Sequence, residues 1–517
     1  MPPDFSQIAA GLRDAAVTWY LTPGDGGISH VSYWQIKPGS PAYAALPTLE
    51  QGKLRKLQQS VLHSSRIPPK IEVPGIEVTG TLRGPDGQTG ERTQEIVLKI
   101  PAAWNGDLVV AGTPGTRSEF ASDGVLAAWL VAQGFAYIAG NKGMTNAGAD
   151  GNATLLSRQH PTQHWGVMML DLADFAIARL RTATFARPGR VYAVGLSNGG
   201  YQVRRALELD HQAVQAGATR RFDGGLDWEG AYWPDARVLD RDGDGRVSPA
   251  EYAAANHLVS QNDRAALAMG YAYAPGSHTT PDEFAKQPPY PGAQAAMLAA
   301  GFDAASAPIW GAYNTAFDGL KAVLPDWRGI GYYNFTGFYF RAELLGHGPA
   351  ESAAYTPFAK TGVPPYYDSL RRAVDGGWDA QSVGWALKNA NSAEFSAPLI
   401  SLHGDGDGLL GLGAHGLAYR DAVGRFGRPA QYRLYVVQNA GHIDGHSDGG
   451  LDFDFDGTSG EEGVAERFTY LQPYVERAFA ALRDWVQRDE APPPSGTLAT
   501  DLRNDVLSGQ GLRLLPR

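Results

Sequence analysis

Apolar residues in this chain gather into short runs separated by stretches of helical spacing. EIVLKI, ending at Ile100, is followed by DLVVAG at 107–112, FAYIAG at 135–140 and VYAVG at 191–195. Short apolar runs without polar alternation predict strands buried on both faces. Between the last two runs, Trp165, Met168, Met169, Leu172, Phe175 and Arg179 recur at helical steps, which predicts a helix beginning near His164 with both methionines in the core. Strands that alternate with helices imply a mostly parallel sheet covered on both sides. FDGGLDWEGAYW (222–233) reads as the next strand, and the pattern resumes at APLISLHG (397–404) and QYRLYVVQ (431–438), with a helix from about Pro473 to Val486.

Two regions depart from this rhythm. Residues 1–90 combine helical spacing at Gln51–Leu62 with extended segments broken by Pro and Gly at 71–84, and are read as an N-terminal elaboration. From 234 to 394 the alternation lapses into Gly, Pro and aromatics such as Trp310, Tyr313 and Tyr339. Such a stretch predicts a lid inserted between two halves of the core, 91–233 and 395–488, with 489–517 as a tail that follows the stiff run APPPSG. Most of the lid aromatics are expected to pack the insert itself, and some to line a pocket for an apolar substrate.

The chemistry is concentrated in RVYAVGLSNGGYQVRR (190–205). An apolar strand, then Gly195-Leu196-Ser197-Asn198-Gly199, then a helix from Tyr201 onward describe a strand–turn–helix elbow that lifts a serine hydroxyl clear of a sheet. Chance supplies about 0.4 G-x-S-x-G matches in a chain this rich in glycine, so the flanking strand and helix carry the reading. The backbone N–H of Asn198 is then placed to face an oxyanion, and Thr113 is the expected second donor. Thr113 opens the loop after DLVVAG, and Pro114 beside it has no N–H.

A serine nucleophile needs a base, and the base an orienting acid. In an α/β-hydrolase the chain order is Ser, acid, His. His403-Gly404-Asp405-Gly406-Asp407 follows a strand, and Asp407 is the preferred acid, with Asp405 a close competitor and Asp227 a distant one. After the next strand, Asn439-Ala440-Gly441-His442 offers the base; His446 is the rival, and His403 reads as a turn residue. Arg117 reads as a surface ion pair, with a substrate carboxylate as the other option.

A separate motif begins the insert. Asp240, Asp242, Asp244, Arg246, Ser248 and Glu251 fall at ligand positions 1, 3, 5, 7, 9 and 12 of an EF-hand loop, with Gly245 at the sharp bend. This predicts a structural Ca²⁺ that staples the lid; position 7 ligates through its backbone carbonyl. The run Asp452, Asp454, Asp456 lacks a twelfth-position Glu and reads as a solvent-facing edge, with metal binding as the other option. No organic cofactor is implied.

Bulk properties narrow the partners. At 517 residues, with 43% hydrophobic and 19% charged residues, the chain is of globular composition, and its net charge of −10 argues against nucleic acid or an anionic membrane as partner. No apolar stretch approaches the roughly 18 residues of a membrane span. With no cysteine, disulfides, thiol catalysis and Cys-ligated zinc are excluded. The start, MPPDFSQIAAGLRDAAV, shows no basic segment leading into an apolar run. The expected compartment is extracellular or periplasmic with the signal absent from this chain, and the cytoplasm stays open. Oligomeric state leaves no mark in the sequence.

YIAGNKGMTNAG, GLSNGG, HGDGDGLLG and above all YVVQNAGHID resemble bacterial 3-hydroxybutyrate oligomer hydrolases. More distantly, GLSNGGYQ and a large lid resemble the tannase and feruloyl esterase group. The resemblance covers about half the chain, and it implies an α/β-hydrolase fold with Ser197, Asp407 and His442 as a triad acting on short hydroxyalkanoate esters. Aromatic-ester hydrolysis, peptidase activity on the same triad and a non-catalytic binding role are the alternatives.

Overall fold

The computed structural model describes residues 4–21, 26–30, 40–58, 71–84, 92–115, 117–143, 164–240, 242–247, 390–404, 407, 410, 412–438, 440–442, 444 and 469–499. Its frame is one ten-stranded sheet: β1 (Arg13–Tyr20), β2 (Gly75–Arg83), β3 (Thr93–Pro101), β4 (Leu108–Gly112), β5 (Ala136–Gly140), β6 (Val191–Leu196), β7 (Gly224–Trp228), β8 (Leu399–Gly404), β9 (Tyr432–Val437) and β10 (Gly496–Leu498). They lie in the order β1-β2-β3-β5-β4-β6-β7-β8-β9-β10. β1, β2, β3 and β5 pair antiparallel in succession, and every pairing from β5 to β10 is parallel. The swap of β5 and β4 in an otherwise sequential order, with a serine elbow after β6, is the α/β-hydrolase arrangement.

The apolar runs are continuous because both faces of the sheet are covered. Leu108 and Val110 of β4 join one core cluster and Val109 and Ala111 the other. On the first face lie the helices Trp165–Thr184 and Asn198–Gln215, which contribute Met169, Leu172, Val203 and Leu207. On the second lie Ala128–Ala132 and Gln472–Arg488, where Phe479 packs edge-on against Trp129, Phe135 and Tyr192 at 5.3 to 5.4 Å.

Some boundaries differ from the sequence reading. The elbow helix starts at Asn198 and not at Tyr201, directly after the serine. Within 71–84, Gly75–Arg83 is one nine-residue strand that starts after Pro74 and passes through Gly80 without a break, because β3 pairs it in register from end to end. The run 222–233 stops being a strand at Trp228, where Glu229 takes φ +50°. Residues within 1–90 place β1 and β2 in the sheet, and β10 follows APPPSG beyond residue 489. Of the stretch read as a lid, 248–389 lies outside the described residues, as does most of the run after His442.

A buried ionic group ties the N-terminal segment to the sheet. His30 bridges Glu77 at 2.8 Å and Asp123 at 2.9 Å, Lys99 pairs with Asp123, and Lys53 reaches Glu77 at 2.6 Å. All five side chains are buried. Each charge has an opposite partner, as burial of this kind requires.

Candidate active site

The serine stands where the sheet and a helix meet at close quarters. Ser197 has φ +60° and ψ −120°, a conformation that L-residues avoid at a cost of order 1–3 kcal/mol and that surrounding structure must enforce. Its N–H donates to the Trp228 carbonyl at 2.8 Å, and its own carbonyl accepts from Tyr201 at 3.0 Å. Glycine is obligatory around it. A Cβ on Gly195 would overlap the Gly199 carbonyl, and one on Gly199 would overlap the Gly112 carbonyl and lie 3.0 Å from the Thr113 nitrogen. The end of β4 and Thr113 are thereby pressed against the first turn of the elbow helix.

That first turn leaves N–H groups without intrahelical acceptors, and Asn198 is the first of them. Thr113 is fully buried and clamped on its other side: its hydroxyl donates to the Gly140 carbonyl at 2.8 Å, and Lys142 donates to the Thr113 carbonyl at 2.6 Å and hydroxyl at 2.7 Å. Lys142 also lies 5.1 Å from the ring centre of Trp165. Because Gly112 and Gly199 touch, a Gly199→Ala side chain acts as a wedge between the N–H groups of Thr113 and Asn198, the candidate oxyanion donors. The expected result is a fall in kcat of roughly 10²–10³-fold, the usual effect of losing one such donor. An unchanged kcat in a folded variant would take Thr113 out of any oxyanion site.

β8 and β9 deliver the other two groups. His442 Nε2 is 2.9 Å from Ser197 Oγ, and His442 Nδ1 is 2.7 Å from Asp407 Oδ2. The Asp407 Oδ1 oxygen accepts from the Leu410 N–H at 2.8 Å. A Cβ on Gly404 would overlap the Ala440 carbonyl, so the loops after β8 and β9 are in backbone contact. Two residues past the histidine, Asp444 accepts from the N–H groups of Leu471 and Gln472, both at 2.7 Å, which fixes this loop to the start of the helix Gln472–Arg488. Ser197, Asp407 and His442 are all buried, at 4%, 0% and 5% exposure, so their charges and hydrogen bonds act in a medium poor in water.

Electrostatics separates the histidines. Burial pushes His415 down to about 3, and lowers His403 against the pull of Asp407, so both are neutral structural groups. His415 accepts from the Tyr232 N–H at 3.0 Å, and His403 Nε2 donates to the Leu410 carbonyl at 2.7 Å. Burial works to raise the Asp407 carboxyl, but the His442 charge and hydrogen bond overcome it and hold it below the usual carboxylate range.

Among the rival acids, Asp227 is committed elsewhere. It takes Arg204 Nε at 2.5 Å, the Ser401 hydroxyl at 2.7 Å and the Gly230 N–H at 2.7 Å. Asp405 and His446 lie outside the described residues. Arg117 is half-buried in the loop beyond Thr113. Sequence reasoning passed over Glu229, a fully buried carboxylate 3.4 Å from His442 Nδ1. The available signal was its place directly after an apolar strand, at the same sheet end as the serine.

In the acidic loop, Asp240, Asp242 and Asp244 present oxygens that all lie within 4.8 Å of one another. Gly243 and Gly245 turn the chain with φ +76° and +81°. Backbone N–H groups of Gly243 and Gly245 donate to Asp240 at 2.7 and 2.9 Å, and that of Arg246 to Asp244 at 2.7 Å. Ser248, Glu251, Asp452, Asp454 and Asp456 lie outside the described residues.

No protein-family model and no curated protein matches the chain. Among solved structures it is similar to tannin acyl hydrolase from Aspergillus niger, with TM-score 0.45 and 13% identity over 94% of this chain and 87% of that one. Feruloyl esterase B from Aspergillus oryzae gives TM-score 0.41 and 13% identity, covering 83% and 85%. The rice cell wall degrading esterase LipA from Xanthomonas oryzae gives 0.36 and 14%, covering 70% and 83%. At such values the likeness carries no activity across to this chain, and the fold rests on the strand order and the elbow.

Proposed function

We propose that the chain is a serine hydrolase of carboxylic esters, and the observation that carries this is the unbroken relay from Ser197 through His442 to Asp407 at 2.9 and 2.7 Å. Ser197 Oγ attacks the ester carbonyl while His442 Nε2 takes its proton, then returns it to the departing alcohol. Asp407 holds Nδ1–H, which fixes the tautomer and offsets the charge on the imidazolium. The N–H groups of Asn198 and Thr113 receive the oxyanion. Water, activated by the same histidine, then releases the acyl group.

The substrate class we propose is short hydroxyalkanoate esters of the 3-hydroxybutyrate type, supported by the likeness of GLSNGG and YVVQNAGHID to that group of enzymes. Aromatic esters are the second reading, supported by the aromatic-rich stretch of the sequence between 234 and 394. Turnover of 3-hydroxybutyrate trimer, p-nitrophenyl butyrate and methyl ferulate, measured beside Ser197→Ala protein, separates them. Preference for the trimer supports the first reading, preference for the ferulate replaces it with the second, and turnover of none removes the esterase reading.

We also propose that Asp240, Asp242, Asp244, the Arg246 carbonyl, Ser248 and Glu251 hold a structural Ca²⁺. Three converging carboxylates on a glycine-turned loop suit a hard cation, and its service is to brace this loop, with no part in the acyl chemistry. A chelator is expected to lower the melting temperature and added CaCl₂ to restore it, since a ligand at 100 times its Kd adds about 2.7 kcal/mol to the folded state. A melting curve indifferent to both would end the proposal.

A further inference from the structure

His442 faces two carboxylates, and the acyl-transfer mechanism uses only one. Glu229 follows β7, lies between the serine strand and the acid strand, and is completely buried. Its N–H donates to the Leu402 carbonyl at 2.8 Å and its Oε1 accepts from the Gly404 N–H at 2.9 Å, so both ends of the residue are sewn to β8. Its φ of +50° is one that non-glycine residues seldom take. Its other oxygen, Oε2, has no hydrogen-bond partner among the described residues and points at His442 Nδ1 from 3.4 Å. A buried carboxyl oxygen left unsatisfied is costly, and a strained backbone to place it there adds to that cost.

We infer that Glu229 is a second carboxylate of the base, a positioning residue that steadies the His442 ring beside Asp407 and takes over its Nδ1–H when Asp407 cannot accept it. The inference rests on the serine-hydrolase reading. Burial, and after it the nearby Asp407 charge, raises the Glu229 carboxyl well above its usual range, with Asp444 and Asp227 adding to the effect. The two carboxyls therefore oppose each other's ionisation, and Asp407, which pairs with His442, is the one favoured to carry the negative charge. Neutralising Asp407 removes the largest charge that opposes Glu229 ionisation. The group can then give its proton to solvent, become the carboxylate and accept from Nδ1–H after a shift of a few tenths of an ångström. The groups that face it are Asp407 and His442 on the neighbouring loops, Asp444 beyond them and Asp227 on its own strand.

A double-mutant cycle tests this on the full chain, with p-nitrophenyl butyrate as probe. Glu229→Gln alone is expected to lower kcat less than 10-fold, and Asp407→Asn alone by roughly 10²-fold, against the roughly 10⁴-fold typical where no second carboxylate exists. The double variant should fall by roughly 10⁴-fold, more than the product of the two. In Asp407→Asn the acid limb of kcat/KM should move to higher pH, because the carboxyl that must now ionise is a buried one; with a purely structural role for Glu229 the loss of the Asp407 charge leaves that limb in place or moves it to lower pH. A 10⁴-fold loss in Asp407→Asn alone, or multiplicative effects in the cycle, overturns the inference. Should Glu229→Gln fail to fold, the size of the Asp407→Asn loss and its pH profile decide the matter without it. Fluorophosphonate labelling of the unaltered protein keeps the two readings apart: no labelling defeats the serine-hydrolase reading itself, whereas labelling together with a multiplicative cycle defeats only the role of Glu229.

Discussion

Ser197→Ala is expected to lower ester turnover by about 10⁶-fold while the protein stays folded. Alanine keeps the Cβ, so the unusual φ of +60° and the hydrogen bond from the residue 197 N–H to the Trp228 carbonyl are unaffected by the change. What disappears is the oxygen 2.9 Å from His442 Nε2, and with it the covalent route. The remaining N–H donors can still polarise a bound carbonyl for attack by water, which is why triad deletions elsewhere leave a residue of roughly 10³–10⁴ over the uncatalysed rate. The measurement is kcat on p-nitrophenyl butyrate together with the melting temperature. A variant that retains more than a few per cent of its activity would show that another nucleophile does the work.

The second large effect concerns stability. Asp227→Ala should cost about 3–5 kcal/mol, because it strands Arg204 in the core. Arg204 has no exposure; its remaining contacts among the described residues include two carbonyls at 3.4 Å, those of Ala231 and His415, and the face of Tyr419 at 4.3 Å. Ser401 Oγ and the Gly230 N–H lose their acceptor in the same stroke. Replacing both partners, as in Arg204→Met with Asp227→Leu, should recover much of the loss, since an apolar pair needs no compensation. Urea unfolding of the three proteins gives the values. A loss below 1 kcal/mol in Asp227→Ala would mean that water reaches Arg204 and that the pair is not truly desolvated. The contrast with Asp407 is instructive: both aspartates are buried near one end of the same sheet, yet one neutralises an arginine and the other faces a base.

How much of this was legible in the sequence depended on how each residue meets solvent. β3 to β9 stand out as apolar runs because helices cover both faces of the sheet. β1 does not: as the edge strand it leaves Val17 and Trp19 at 41% and 52% exposure, so RDAAVTWY shows neither a run nor a clean alternation. β10 is three residues long, below what periodicity can register. The candidate triad was readable because each member sits at the end of a recognisable strand, and chain order did the rest. Glu229 was not, since its proximity to His442 depends on β7 and β8 pairing across more than 150 intervening positions and on a single positive φ. Lys99 was hidden in the run EIVLKI, where its charge is matched by Asp123 and Glu77 from other parts of the fold.

The distance along the chain between the serine and its histidine has a temporal meaning. Ser197 precedes His442 by 245 positions, and at usual elongation rates of about 5–20 residues per second that separates their synthesis by roughly 12 to 50 seconds. Through that interval a nascent or truncated chain carries β3 to β7 and the elbow, but His442, the base we propose, has not been made. On the proposed mechanism reactivity waits for the part of the chain that carries β9 and His442, and a chain cut short before it is expected to be inert.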